Sequence, residues 1–169
     1  MTVTEIMARL EPSESGQILE ELRGKNRPAY RGAASLLASR RKLRVVFLDK
    51  KPIPERHAWM AAELNKKSNM DIAAEILQGW LFACHQSVLC DFLDSVGATH
   101  DGEGLVESLP EEPPDEILQR AVDGLLAKQP TWVVMTYLNL FCGMDICNWA
   151  RLEKLVATHP AFAKSEVSQ

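Results

Sequence analysis

The sequence holds no long apolar run. Its most apolar stretch, Trp132 to Met144, is broken by Thr136, Tyr137 and Asn139 and is too short to cross a bilayer. Residues 1–22 lack the basic start and continuous apolar core of a secretion signal, so no membrane association is expected and the expected location is cytoplasmic. Cysteine is sparse and never spaced Cys-x-x-Cys, which excludes a thioredoxin-type redox motif or a zinc half-site of that kind. Cys84, Cys90, Cys142 and Cys147 lie in apolar surroundings and read as small buried thiols. Cys142 and Cys147 flank Gly143-Met144-Asp145, where a turn brings them near each other. Packing on either side of that turn is the plain reading, and metal or redox chemistry the alternative. Glycine-rich phosphate loops, a nucleophile elbow, a dinucleotide fingerprint, an EF-hand loop and zinc-finger spacing are all missing, so no cofactor and no metal are expected.

What remains is an ordinary globular composition, 46% apolar and 25% charged, in 169 residues. That length suits a single domain with a real core. Apolar residues recur at helical steps along most of the chain. Thr2 and Glu5 form a capping box before Ile6 and Leu10. Residues 29–48 read as one helix; Arg44 to Leu48 has strand propensity, but no second strand is present to pair with it. Glu55 to Leu64 form another helix. The longest periodic segment runs from Asp71 to Val96, with a bend expected at Gly79 and a left-handed cap at Gly97. Residues 115–127, 132–142 and 146–157 form three more helices, the middle one apolar on nearly every side and so central. The four tryptophans fall on inward positions. The expected fold is all-α, an irregular bundle of about seven helices over residues 1–160, solenoid-like in its C-terminal half. A long acidic loop spans 98–114, and a frayed tail covers 161–169.

Charge is the least uniform property. Residues 1–67 hold 14 Lys+Arg against 8 Asp+Glu, a balance of +6, and residues 68–169 hold 5 against 15, a balance of −10. Residues 23–51 alone carry +9, and residues 89–123 carry −9. Three readings compete: the runs cancel inside the monomer, they form two faces that meet a protein partner or a second copy, or the basic run meets nucleic-acid phosphates. The acidic run would repel a nucleic-acid backbone, which argues against that partner.

Candidate binding residues follow from these runs. Arg40, Arg41 and Arg44 share one face if the helix continues through them, and Asp94, Glu103, Glu107 and Glu111 populate the acidic side. Candidate chemistry concentrates in His100-Asp101-Gly102-Glu103-Gly104, where an imidazole and two carboxylates sit in a flexible segment. His100, Asp101 and Glu103 are therefore the candidate acid–base or metal group, and an ordinary Asx or glycine turn is the plain alternative. His57 and His159 read as surface or capping residues, and His85 as the edge of an apolar face. The functional expectation is a non-enzymatic helical protein that works by protein contact or self-association.

Overall fold

A computed structural model describes residues 1–163. Every regular element among the described residues is helical, and ten α-helices are present rather than about seven. The chain divides into two compact units, Met1–His85 and a second beginning at Gln86.

The first unit comprises α1 (Val3–Arg9), α2 (Pro12–Lys25), α3 (Arg27–Arg40), α4 (Val45–Asp49), α5 (Ile53–Leu64) and α6 (Met70–Cys84), with a 3-10 turn over Lys67–Asn69. The capping box at Thr2 forms as the spacing predicts. Helix α2 is the hub: it packs against α3, α5 and α6 through Ile18, Leu19 and Leu22. Leu37, Met60, Leu64, Leu77 and Trp80 complete a closely sealed interior.

The single helix expected over 29–48 is two helices. Helix α3 stops at Arg40, and Lys42 takes a left-handed φ of 55°. The Leu43 N–H then donates back to the Ala38 carbonyl at 2.9 Å and the Lys42 N–H to the Ser39 carbonyl at 2.9 Å. This is the Schellman closure that glycine usually provides. With lysine in the glycine position, the local sequence carries no stop signal.

The second unit holds α7 (Gln86–Ser95), α8 (Asp115–Leu126), α9 (Thr131–Cys142) and α10 (Ala150–Thr158). Helix α8 packs on α7, α9 and α10, and α9 packs on α10. Eight of the 12 residues of α9 are buried, which puts it at the centre of this unit. Phe92, Tyr137, Phe141 and Trp149 form a chain of ring contacts with centroids 5.1–5.9 Å apart in edge and tilted arrangements.

The segment 71–96 is likewise two helices, and Gly79 is not the break. The break falls at His85 (φ −130°, ψ 31°), whose ring lies 4.5 Å from that of Trp80. Gly97 caps α7 as expected, with φ 73° and an Ala98 N–H to Leu93 carbonyl bond. At the far end, Pro160–Phe162 form a 3-10 turn with Phe162 buried. The rest of the expected frayed tail lies outside the described residues.

Candidate functional site

The basic run 23–51 folds into α2's last turn, α3, the Arg41–Arg44 turn and α4. Because α3 ends, Arg40, Arg41 and Arg44 do not share a helical face. Arg40 grips Asp71 with two hydrogen bonds, at 2.9 and 2.6 Å, and also donates to the Ser68 carbonyl and to Asn69 Oδ1. The guanidinium beside Asp71 holds that carboxyl at about 2. Arg41 lies 3.4 Å from the buried carboxylate of Glu63, which Lys66 contacts at 2.6 Å. Both arginines therefore tie α3 to the start of α6 and to α5. Arg44 is exposed at the start of α4.

Helix α4 presents what the charge map alone did not reveal. Leu43, Val46 and Phe47 are exposed, Phe47 at 56%, among Lys42, Arg44, Lys50 and Lys51. Beside them a hollow of ≈ 190 Å³ is lined by Arg23, Arg27, Arg31 and Arg56 with Tyr30, Ala34, Val45 and Asp49. Of the four guanidinium groups, Arg23 is bound to the Glu20 carboxylate and Arg56 to the carbonyls of Leu48, Asp49 and Lys51, so the excess of positive charge in the hollow rests mainly on Arg27 and Arg31. Asp49 counters part of that charge, lying 3.8 Å from Arg31 and 3.6 Å from Arg56.

The acidic segment 98–114 is held at many points. His100 Nδ1 accepts from the Gly102 N–H at 3.1 Å, and Nε2 lies 3.0 Å from Asp94 Oδ1. Asp101 Oδ1 accepts from the N–H groups of Glu103 (2.8 Å) and Leu105 (3.0 Å), and those bonds keep its carboxyl below the usual range. The Gln86 amide donates to the Glu103 carbonyl. Gly104 has φ +93°, and a Cβ there would stand 2.7 Å from that of Leu89, so only glycine fits. Trp149 Nε1 donates to the Pro110 carbonyl at 3.2 Å, and Glu112 receives the backbone N–H groups of Arg151 and Leu152.

His100 and Asp101 thus serve the loop's own hydrogen bonding. Together with Glu107 they line an open hollow of ≈ 610 Å³, with Leu105, Val106 and Leu109 on its apolar side. Glu103 and Glu111 are exposed and are not among the residues that line it. Leu105 stands 55% exposed between Glu103 and Glu107.

Several titratable groups outside the expected set are more deeply engaged. His57 is buried rather than superficial, 3.1 Å from the Tyr30 hydroxyl and 3.9 Å from Glu20; burial pushes its pKa down. Glu21 accepts from Trp80 Nε1 at 2.7 Å, from Gln17 at 2.8 Å and meets His85 Nε2 at 3.1 Å. Burial works against its charge, yet these three bonds outweigh it and hold the carboxyl below its ordinary range. Gln17 is a neighbour four residues back on the same helix, whereas Trp80 and His85 lie 59 and 64 residues away in sequence, so no local spacing announces them. His159 does act as a cap, accepting from the Ala161 N–H.

The four cysteines are half-buried rather than sealed in the core. Cys142 closes α9 and Cys147 follows the turn after it, where the Cys147 N–H donates to the Met144 carbonyl at 2.9 Å. Interaction with Cys142 holds the Cys147 thiol below its ordinary value, and interaction with Cys147, together with burial, pushes the Cys142 thiol up. Among the described residues no three His, Cys, Asp or Glu side chains converge as a metal site. No helix there is long and apolar enough to cross a membrane. No protein-family profile, curated protein or solved structure matches this chain.

Proposed function

We propose that this protein acts by protein contact, through the apolar and basic face of α4 and its flanks. The observation that carries the reading is the exposure of Phe47 with Val46 and Leu43 in a stretch that also exposes Lys42, Arg44, Lys50 and Lys51. A five-residue helix does not hold such a face out for its own stability, and apolar clusters rimmed by charge mark association sites. The arginine-lined hollow beside it suits a carboxylate.

The complementary chemistry exists in the same chain. Leu105 is exposed, with Glu103 and Glu107 two residues to either side. The occupant that fits the α4 face is therefore the acidic loop of a second copy. Such a contact is heterologous, pairing two different surfaces, and adds copies head to tail. Its attraction is screened as ionic strength rises, because the Debye length falls to about 10 Å at 0.1 M salt.

Sedimentation tests this with two variants, Phe47→Ser and Leu105→Ser. The wild type should associate at low salt and dissociate at high salt, and each variant alone should be monomeric. Mixing them should restore a dimer, because each variant keeps one intact surface. A wild type that stays monomeric at every concentration at low salt would sink the reading. Binding of DNA or RNA lost on Arg44→Ser, without self-association, would replace it with phosphate recognition.

A further inference from the structure

Helix α3 opens on Arg27 and places Arg31 four residues on, so both guanidinium groups lie along one side of it. That side walls the hollow that Arg23, Arg56 and Asp49 complete, with Tyr30, Ala34 and Val45 between the charges. Two sets of bonds fix the wall. Arg56 is anchored by three carbonyls at the end of α4 and just beyond it, those of Leu48 at 3.0 Å, Asp49 at 2.8 Å and Lys51 at 3.3 Å. Tyr30 and His57 are both buried, and the Tyr30 hydroxyl lies 3.1 Å from His57 Nε2. Burial lowers the His57 pKa, so at neutral pH its ring adds little charge.

Charge decides what the hollow takes. Arg23 is held by Glu20 in a two-point contact. Asp49 stands 3.8 Å from Arg31 and 3.6 Å from Arg56, too far for a hydrogen bond to either. Arg27 pairs with no carboxylate among the described residues. Four guanidinium groups thus stand against two carboxylates, and an excess of two positive charges remains. A carboxylate ligand cancels half of that excess. A phosphate monoester carries close to two negative charges above its second pKa of about 6, and so cancels it fully. Its oxygens also match the planar fork of a guanidinium, which binds phosphate through two parallel N–H bonds. At ≈ 190 Å³ the hollow holds the phosphate and little more, so the remainder of a ligand projects past Ala34 and Val45.

We propose that the hollow between α3 and α4 binds a small phosphate monoester, gripped by Arg27 and Arg31 against the fixed guanidinium of Arg56. The assignment holds whether or not copies associate through α4, since every residue it uses lies in the first unit of one chain.

Calorimetric titration of the full-length protein tests this, in low-salt buffer near pH 8, where a monoester is fully charged. Phenyl phosphate and glycerol 3-phosphate are the monoester probes, and dimethyl phosphate and acetate the monoanions. Each monoester should bind one to one, at least tenfold tighter than either monoanion. Replacing Arg27→Ser and Arg31→Ser together should weaken phenyl phosphate at least tenfold. Arg120→Ser, at an exposed arginine of the second unit, should leave that binding unchanged. Amide shifts in the wild type need no variant: on addition of phenyl phosphate they should cluster over residues 27–31 and 45–49. Leu105→Ser, titrated in parallel, separates the ester site from self-association, because it should bind phenyl phosphate even where association is lost. Equal binding of dimethyl phosphate or acetate, shifts centred away from the hollow, or no monoester binding by either the wild type or Leu105→Ser would overturn the proposal. So would capture by phosphatidic-acid vesicles without binding of either soluble ester.

Discussion

Glu112 caps a helix that begins 38 residues further along the chain, at Ala150: its Oε1 accepts the backbone N–H of Arg151 at 2.6 Å and of Leu152 at 3.0 Å. Oε2 takes a further bond from Arg151 Nε at 3.1 Å. A carboxylate at this position satisfies two orphan donors and opposes the positive end of the helix dipole. The far end of the acidic loop is thereby part of α10.

Replacing Glu112 should cost stability as the loss of a helix cap does. Glu112→Ala is expected to destabilise by about 1–2 kcal/mol, and Glu112→Gln by less because it keeps an acceptor. Urea denaturation of each variant measures the difference.

Gly104 should tolerate no side chain. Its φ of +93° and the 2.7 Å approach to Leu89 act together, so Gly104→Ala is expected to cost about 1–3 kcal/mol. The same substitution at Gly16, inside α2 with nothing within 4 Å, should stabilise by about 0.5–1 kcal/mol. Opposite shifts in melting temperature would check the pair.

Lys42→Gly should stabilise the protein by about 0.5–1 kcal/mol. Relief of the left-handed strain at a non-glycine residue outweighs the greater freedom of the unfolded chain. Thermal unfolding of the variant reads this gain.

Two groups set opposite ends of the acid profile. Asp71 titrates near about 2 when folded against its ordinary 3.8, so the Arg40 contact stabilises the fold fully above that ordinary value. That stabilisation is lost as pH falls through the folded value. Arg40→Ser should raise the Asp71 titration, followed by NMR, toward the usual range, the backbone N–H groups of Ile72 and Asp71 still holding part of the shift. His57 works differently: its folded pKa lies below the ordinary 6.5, so the unfolded chain gains a proton first as pH drops. Stability should therefore fall on acidification through that region, and His57→Gln should flatten the dependence.

Local signals in the sequence reached the structure where one stretch of chain settles its own shape. The Thr2–Glu5 box, the Gly97 cap and the apolar faces of α8 and α9 are of this kind. The missed breaks arise from elsewhere. At Lys42 a Schellman turn forms without its usual glycine. At His85 the ring is held by Trp80 and Glu21, partners in α6 and α2. Among the candidate residues, Asp101 makes a local Asx turn with Glu103 and Leu105, while the His100 ring is bonded to Asp94 and Gly102. The joint face expected of Arg40, Arg41 and Arg44 depended on a helix that stops. Phe47 is exposed on the short helix that follows that stop.

The loop between Gly104 and Glu112 is moored at both ends, by Asp101 and Leu89 on one side and by Trp149 and α10 on the other. Its middle, Val106 to Leu109, is an arch with fixed footings. A peptide epitope grafted there would be displayed in a bounded conformation, whereas lengthening the chain at either footing would cast the arch adrift.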